Sequence, residues 1–389
     1  MRLNIYVLGT IIILFSFLEP DYFTSIPIVH GVLHVIRLIG IFVAIIISLK
    51  KRQFLYVSAI VAIYYAIYAY STYLQNGDFS LLISHSILTI GFIMWLEILL
   101  RNKPNIALHS LNIIYSILVY ANIIFFMIFP EGYNDHGASR YLLGIDNQFA
   151  ATLIPAVVVS VTYSLIRFNK VIISTKILIG AVLFTFTYFW SATSIIGISL
   201  IILYLLLIHK GWLKYFVNYK TVSFVMIFLF LTVVYFNSFN IFAFIIEGLL
   251  DKDLTLSTRT VIWEQAKLMI NESPLFGYGA IEGNKFIYFN QWNQKDAHNM
   301  ILNILLQSGI FGLSIIILLF LFMFKKVTEY KTHPVSRFIL FSLFASTTMM
   351  LSEIYAFRFL FLILLLGIFT PSIIKAKYGK RINLITLDG

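Results

Sequence analysis

The chain has 389 residues, of which 60% are hydrophobic and only 12% are charged, and its mean hydropathy is +0.91. Soluble domains carry roughly 25% charged residues, so this composition excludes a soluble globular protein and indicates an integral membrane protein. The net charge of +11 does not indicate nucleic-acid binding, because the basic residues lie in short clusters beside apolar runs. The chain has no Cys, which excludes disulfides and thiol chemistry.

A transmembrane helix needs about 20 mostly apolar residues to cross a ~30 Å hydrocarbon core. Twelve runs of this kind are predicted as spans, and they must be helical because lipid offers no partner for open backbone groups. The predicted spans cover residues about 3–18, 26–48, 54–74, 79–100, 108–129, 148–166, 172–189, 192–208, 221–241, 299–324, 337–354 and 356–374. The sequence therefore predicts an all-α membrane protein with a single polytopic domain over residues 1–389.

The distribution of Lys and Arg predicts the orientation of these spans. Twenty of the 28 basic residues fall on one side, in the short connections after every second span. Cytoplasmic loops retain such positive charge, so both termini are predicted to be cytoplasmic. The long polar segment 242–298 between spans nine and ten is then extracytoplasmic. The first apolar run is followed by EPDY rather than a small-residue cleavage site, so we expect a retained anchor.

Span two carries His30, His34 and Arg37 at i, i+4 and i+7, which places them on one helical stripe. An Arg at this depth costs ~2.5–3.5 kcal/mol on insertion scales, so it needs a partner or a water-filled site. The stripe is interpreted either as the wall of a cavity that admits a glycan or diphosphate, or as a buried polar network with Glu353 or a Tyr. Arg358, near the outer end of span twelve, is a similar residue, and Glu353 is its expected neighbour.

Residues 247–298 interrupt the series of spans with mostly polar sequence. Ser257 to Asn271 has apolar residues at helical spacing, a Ser or Thr cap and Pro274 as a stop, which predicts an amphipathic helix near the membrane surface. Its polar side would carry Arg259 and Lys267. Gly277 and Gly279 follow in a turn whose backbone is expected to approach a substrate closely.

Arg259 lies one helical turn before Trp263 in an otherwise acidic outer segment. A guanidinium is permanently charged and presents a planar fork of donors that suits phosphate oxygens, which favours binding of a lipid diphosphate. The alternative is an interfacial Arg that extends its charge toward water.

His298 and Asn299 open span ten at the outer interface. An imidazole exchanges protons near neutral pH, so His298 is a candidate general base for an attacking hydroxyl, a role that contributes ~10²–10⁴ in rate. The alternative is a structural His. The acidic residues of the outer segment match no specific metal-ligand spacing, and no metal or other cofactor is expected.

These residues resemble the superfamily of O-antigen ligases and Wzy-type polysaccharide polymerases. R-x3-W, P-x2-G-x-G, HN and G-x2-G follow in order from Arg259 to Gly312, and a weaker resemblance covers Arg140 to Asn147. The resemblance implies a GT-C-like membrane enzyme with one large outer loop. One departure is Ser191-Ala192-Thr193-Ser194, where many ligases carry a Ser-Arg pair, and this argues mildly against a ligase.

The resemblance further implies the reaction and its partners. The expected activity joins undecaprenyl-diphosphate-linked oligosaccharide repeat units, with inversion, into a capsule or O-antigen at the outer face of the bacterial cytoplasmic membrane. Membrane lipids, a chain-length regulator and a flippase of the same pathway are expected partners. The alternatives are a ligase that transfers glycan to another acceptor and a lipid-linked oligosaccharide flippase.

The expected site residues follow from the same motifs and from the charged residues inside the spans. Arg259 and His298 are predicted to be catalytic. The predicted substrate-binding residues are Arg140, Trp263, Lys267, Gly277, Gly279, Asn299, Arg37, His34 and Arg358.

Overall fold

A computed structural model describes residues 5–135, 138–209, 211–236, 259–280 and 296–385. These residues form an α-helical bundle with one small β-hairpin, which confirms the predicted fold class. Parts of the predicted loop 242–298 lie outside the described residues, including its first residues and the expected Ser257 or Thr258 cap.

The helices of the described residues follow the predicted spans closely. In chain order they are α1 (Ile5–Phe17), α2 (Asp21–Thr24), α3 (Pro27–Lys50), α4 (Tyr56–Leu74), α5 (Phe79–Asn102), α6 (Pro104–Ile128), α7 (Ala150–Phe168), α8 (Ile173–Tyr188), α9 (Ala192–Leu203), α10 (Tyr219–Leu229), α11 (Arg259–Glu272), α12 (Met300–Thr328), α13 (Pro334–Met349), α14 (Phe357–Ile368) and α15 (Thr370–Ile385). Helices α9 and α10 continue as π-helices over Tyr204–Ile208 and Phe230–Tyr235.

Six of these helical segments are long and apolar enough to cross a membrane: Pro27–Lys50, Tyr56–Leu74, Phe79–Asn102, Pro104–Ile128, Asp146–Phe168 and Met300–Thr328. A seventh is added if α14 and the start of α15, which bend by 55° at their junction, count as one span. Shorter apolar helices coincide with the predicted spans at 3–18, 172–189, 192–208 and 221–241. The chain is therefore a multi-pass membrane protein, and a total of twelve crossings stays a prediction.

Helix α14 lies at the centre of the bundle. It packs against α5, α7, α12 and α13, and every residue from Phe359 to Ile368 is buried. A helix that is apolar all round is stable in such a position because each of its faces meets another helix. By contrast, α3 exposes one apolar side that includes Phe42 and Leu49, as expected of a helix that faces lipid.

The connection between α6 and α7 contains the hairpin β1 (Tyr133–Asp135) and β2 (Ala138–Arg140), which pair antiparallel with Tyr133 opposite Arg140. The backbone N–H of Tyr22 in α2 donates to the carbonyl of Leu142, which holds this connection against the start of the chain.

Candidate active site

Arg259 and His298 meet at a third side chain, Glu353. Arg259 Nη2 donates to Glu353 Oε2 at 2.9 Å, and His298 Nδ1 lies 3.5 Å from Glu353 Oε1. The Arg259 and Glu353 side chains are only 20% and 14% exposed, so solvent weakens their attraction less than it would at the surface. The two predicted catalytic residues therefore share one carboxylate, although 94 residues separate Arg259 from Glu353 in the sequence.

The start of α12 fixes the position of His298. His298 has a positive φ of 46°, and its backbone N–H donates to Asp296 Oδ1 at 2.9 Å. Its Nδ1 atom also lies 3.8 Å from the same carboxylate oxygen. A positive φ is uncommon for a residue other than Gly and is retained where surrounding contacts enforce it. The backbone thus turns sharply between Asp296 and the helix and leaves the imidazole 24% exposed.

Asn299 caps α12 and joins it to the connection between α13 and α14. Its side-chain oxygen accepts from the Leu302 N–H at 2.9 Å, and its Nδ2 donates to the Leu351 carbonyl at 2.8 Å. The Met300 N–H donates to Met350 in the same connection. Because Asn299 is fully buried and both ends of its amide bind protein, it positions Glu353 beside His298. Its predicted contact with substrate is not tested by this geometry.

Trp263 connects α11 to the segment that precedes α12. Its fully buried indole donates to the Ala297 carbonyl at 2.9 Å. Ile262, Ala266 and Met269 bury the same side of α11, so the predicted amphipathic helix is present with its apolar side packed on the bundle. Arg259, one turn before Trp263, is held over Glu353 by this packing.

Gly277 and Gly279 dock the chain after α11 onto two helices. A Cβ at Gly277 would lie 2.5 Å from the Leu306 carbonyl, and a Cβ at Gly279 would lie 2.3 Å from Thr72 Cα. Both glycines have positive φ, 70° and 74°. The close backbone approach predicted for this turn is therefore made to α12 and α4, and a substrate contact here stays a prediction.

The segment from Pro274 to Gly279 supplies hydrogen bonds at a break in α12. Gly309 adopts φ 60° and ψ −162°, which interrupts the helical hydrogen bonds. The Ile310 N–H donates instead to the Pro274 carbonyl at 2.9 Å, and the Tyr278 N–H donates to the Leu306 carbonyl at 2.6 Å. Such exchange satisfies backbone groups that lipid would leave unpaired.

Two other predicted cations have their own partners. Lys267 Nζ donates to Glu264 at 2.6 Å and to the Tyr235 carbonyl at 3.1 Å. Arg140 Nη1 donates to Asp21 Oδ2 at 3.0 Å. The structure therefore places these residues in separate ion pairs, and neither makes a described contact with Glu353.

Arg37 lies in a buried ionic cluster at the end of α1. Its guanidinium donates twice to the Ser16 carbonyl, at 3.0 and 2.7 Å, and once to Glu19 at 2.7 Å. His30 Nδ1 lies 3.0 Å from the other oxygen of Glu19. Of the two interpretations from sequence, the polar network describes these contacts, but its acid is Glu19 rather than Glu353.

Arg358 joins this cluster and not the Glu353 site. Its Nη1 donates to the Phe17 carbonyl. Positive charge at the carboxyl end of a helix is favourable, so Arg37 and Arg358 together stabilise the end of α1. His34 is exposed beside His30, with ring centroids 6.4 Å apart.

The segment Ser191–Ser194, where many ligases carry a Ser-Arg pair, brings a hydroxyl group next to Ser352, the residue before Glu353. Thr193 lies 3.4 Å from Ser352, and Ser191 lies 2.7 Å from Ser194. Burial raises the pKa of the Tyr355 phenol well above its usual value, and the Glu353 carboxylate raises it further. This edge of the site therefore offers neutral hydroxyl groups. In the part of the chain that the structure describes, no group of three or more acidic, His or Cys side chains is arranged to hold a metal ion.

Sequence reasoning missed Glu353 as a member of this site. It was considered only as a neighbour for Arg37 or Arg358. One available signal was its position, because Glu353 is the single acidic residue between Glu329 and Asp388. It also lies in a short connection on the same predicted side of the membrane as His298. An acidic group there has Arg259 and His298, from the segment predicted to lie on the same side, as natural partners.

Residues 177–317 match the family model described as O-Antigen ligase. No curated protein and no solved structure matches the chain. The matched region extends from α8 into α12 and contains Arg259, Trp263, His298 and Asn299, whereas Glu353 lies beyond it. This match supports a relationship of residues 177–317 to the superfamily of O-antigen ligases and Wzy-type polysaccharide polymerases.

Proposed function

We propose that this membrane enzyme polymerises polyprenyl-diphosphate-linked oligosaccharide repeat units into a surface polysaccharide at the outer face of the bacterial cytoplasmic membrane. The donor is undecaprenyl-diphosphate glycan, and the acceptor is the end of a second lipid-linked repeat unit. The observation that carries the proposal is the convergence of Arg259 and His298 on Glu353. It unites a phosphate-binding cation and a proton acceptor within one partly enclosed site.

Arg259 binds the donor diphosphate in this proposal. A guanidinium has five N–H donors, and the described bond to Glu353 uses Nη2, so further donors remain to contact phosphate oxygens. Negative charge develops on the diphosphate as the glycosidic bond breaks. A cation that is already oriented stabilises this charge strongly where water is restricted. Lys267 and Arg140 are proposed to assist, which would require them to share or leave their carboxylate partners.

His298 accepts the proton of the acceptor hydroxyl. The Nδ1 edge faces Glu353 and Asp296, so Nε2 is the edge available to the substrate. The hydroxyl oxygen attacks the anomeric carbon of the donor, and the bond from that carbon to the diphosphate oxygen breaks. The hydroxyl proton moves to Nε2, and polyprenyl diphosphate leaves with the bonding electron pair. The two carboxylates stabilise the resulting imidazolium.

A ligase is the second candidate, because the matched family model carries that description. The same site chemistry would then transfer finished glycan to a different acceptor, such as a lipid core or a protein. The hydroxyl-lined edge at Thr193, Ser194 and Ser352 lacks the Arg that many ligases carry there, which favours the polymerase.

The deciding experiment deletes the gene in its host and separates surface and lipid-linked glycans by size. The deletion strain is complemented with wild type, His298→Ala, Arg259→Lys or the control Lys170→Ala, which changes an exposed residue in the connection between α7 and α8. We expect single lipid-linked repeat units in the deletion strain and restored polymer with wild type and the control only.

Full-length lipid-linked polymer that never reaches its acceptor would instead identify a ligase. Repeat units retained on the inner face would identify a flippase and exclude both transferases. Full restoration of polymer by Arg259→Lys would show that the planar guanidinium is not required for binding phosphate. Full restoration by His298→Ala would show that His298 is not the general base.

A further inference from the structure

A stripe of carboxamide side chains runs along α12 from the candidate active site. Asn299, Asn303 and Gln307 occupy positions i, i+4 and i+8, so they lie on one side of the helix. Asn299 follows His298 directly, and both ends of its amide bind protein. Asn303 and Gln307 differ from Asn299 in this respect.

The Asn303 side chain is buried without a partner. It is 8% exposed, and in the part of the chain that the structure describes its amide takes part in no hydrogen bond. Its backbone N–H donates to the Asn299 carbonyl at 2.9 Å, so the helix itself is intact at this turn. The small exposed area means that the side chain borders a space which a water-sized group can enter. Asn303 therefore presents an unpaired amide to the inside of the bundle.

Gln307 is a second carboxamide with an unpaired group. Its Oε1 atom is buried and has no hydrogen-bond partner among the described residues. The main chain at this position is held, since the Gln307 carbonyl accepts the Gly279 N–H at 3.0 Å. The side chain is only partly buried and can rotate about three bonds, so its amide can turn toward a ligand beside Asn303.

Unpaired amides are unfavourable at this position in the bundle. Residues Met300–Thr328 form a helix that is long and apolar enough to cross a membrane, and lipid supplies no hydrogen-bonding groups. A buried amide that lacks a partner costs free energy, and Leu would fill a similar volume without that cost. Native proteins satisfy almost all of their buried polar groups. Two unpaired amides on one stripe beside the candidate active site therefore point to a polar ligand.

The chemistry of the stripe indicates the class of that ligand. Each carboxamide offers an acceptor oxygen and an NH₂ donor, and neither group is charged. Every sugar hydroxyl both donates and accepts, so two neighbouring hydroxyls of one ring can pair with a carboxamide. A phosphate or carboxylate would require a cation, and α12 carries no charged residue from Met300 to Phe324. The stripe therefore suits the hydroxyl groups of an uncharged sugar.

The stripe also lies close to the proposed reacting groups. Asn303 is four residues beyond Asn299, which is roughly 6 Å at ~1.5 Å per residue. This separation is comparable with the length of one sugar ring. A ring bound at Asn303 would therefore adjoin a sugar that reacts at His298.

We infer that Asn303 and Gln307 form a subsite for an uncharged sugar ring of the lipid-linked repeat unit, one ring away from the reacting centre at His298. The inference rests on the proposed function and adds to its charged groups a contact that recognises the glycan. The two amides bind neighbouring hydroxyls of the same ring. The subsite contributes affinity for the oligosaccharide and none for the lipid carrier or its diphosphate.

The test measures binding to the full-length protein in lipid nanodiscs. The two ligands are the lipid-linked repeat unit purified from the deletion strain and undecaprenyl diphosphate without sugar. Asn303→Leu and Gln307→Leu are measured singly and together, because Leu keeps a similar volume and removes both hydrogen-bonding groups. Asn112→Leu is the matched control, since Asn112 also has a buried amide oxygen without a described partner but lies on α6.

Wild type should bind the repeat unit more tightly than undecaprenyl diphosphate. Each subsite substitution should weaken binding of the repeat unit by about ten-fold, in line with the loss of neutral hydrogen bonds to one ring. Binding of undecaprenyl diphosphate should not change. The double variant should lose less than the product of the single losses, because both amides bind the same ring.

The control separates binding from folding. Asn112→Leu should bind both ligands as wild type does. Asn303→Leu should melt no lower than Asn112→Leu, because neither substitution removes a described side-chain hydrogen bond. A lower melting temperature for Asn303→Leu than for the control would indicate a structural role and overturn the inference.

Other outcomes overturn the subsite in distinguishable ways. Unchanged binding of the repeat unit by both single variants would mean that the amides hold ordered water only. An equal loss for undecaprenyl diphosphate would place the contact on the carrier rather than on the sugar. In both cases wild type still binds the repeat unit, and the proposed function stands. If neither ligand bound wild type saturably, the proposed donor would be rejected together with the subsite.

Discussion

At the scale of single residues, Glu353 determines how Arg259 and His298 are arranged. One oxygen of the carboxylate faces the Arg259 guanidinium at 2.9 Å, and the other faces the His298 imidazole at 3.5 Å. A partly buried charge shared in this way stabilises both the guanidinium orientation and a protonated imidazole. Arg140, Arg37 and Lys267 pair with other carboxylates, Asp21, Glu19 and Glu264, and Arg358 donates to the Phe17 carbonyl.

Glu353→Gln is the direct test of this arrangement. The amide keeps the size of the side chain but has no charge to stabilise the imidazolium or orient Arg259. We expect turnover of purified protein with a lipid-linked donor to fall by about 10²-fold or more, in the range typical of general-base catalysis.

Glu329→Gln is the matched control for that substitution. Glu329 pairs with Lys326 at 2.7 Å in an exposed i,i+3 arrangement, at the end of α12 away from His298. The Glu329→Gln protein should retain turnover, because exposed ion pairs of this kind contribute little to stability. Equal turnover in Glu353→Gln and wild type would exclude a catalytic role for the carboxylate.

At the scale of elements, the chain from Pro274 to Ala280 fastens α11 to the rest of the bundle. Phe276 packs between Tyr70 and Phe311, with ring centroids 4.9 Å from each. The Ala280 N–H donates to the Thr72 hydroxyl at 2.9 Å. Because Arg259 lies on α11, this attachment also sets the geometry of the candidate active site.

Gly279→Ala should damage this attachment. The new Cβ would meet Thr72 backbone at 2.3 Å, and the positive φ adds a strain of ~1–3 kcal/mol. We expect a lower melting temperature and reduced recovery of monodisperse protein on size-exclusion chromatography. Gly180→Ala is the matched control, since its Cβ would have no neighbour within 4 Å in α8. A Gly279→Ala protein as stable as Gly180→Ala would contradict the described packing.

Sequence periodicity predicted that a helix lies in this region, but it did not predict which residues the helix and the following turn contact. The predicted amphipathic helix at 257–271 corresponds to α11, because apolar spacing reports directly which side of a helix is buried. The close backbone approach expected at Gly277 and Gly279 is made to α12 and α4, and a substrate contact there stays a prediction. A glycine motif indicates close backbone approach, but it does not identify what approaches. Glu353 was missed for a related reason, because its partners are remote in sequence.

At the scale of the whole molecule, two ionic clusters among the described residues each join three elements of the bundle. One joins α11, α12 and the connection after α13 through Glu353. The other joins α1, α3 and α14 through Glu19, Arg37 and Arg358. Helix α14 begins four residues after Glu353 and carries Arg358, so one buried helix links the two clusters.

The predicted orientation can be tested because the chain contains no Cys. Glu131→Cys lies in the connection before α7, and Lys170→Cys lies in the connection after it; both positions are exposed. The positive-inside pattern predicts that a membrane-impermeant maleimide labels position 131 in intact cells, or in spheroplasts if an outer membrane is present. Position 170 should be labelled only after lysis. The reverse labelling pattern would show that the predicted orientation is inverted, with Glu353 and His298 on the cytoplasmic side.

The break at Gly309 also bears on how the protein is made. In a growing chain, the carbonyls of Pro274 and Leu275 are synthesised before the Ile310 and Phe311 N–H groups that bond to them. A helix inserted alone with this break would bring unpaired amides into lipid. Synthesis from the N-terminus supplies their partners in advance, so the segment from Pro274 to Ala280 and α12 would be inserted as one unit rather than in succession.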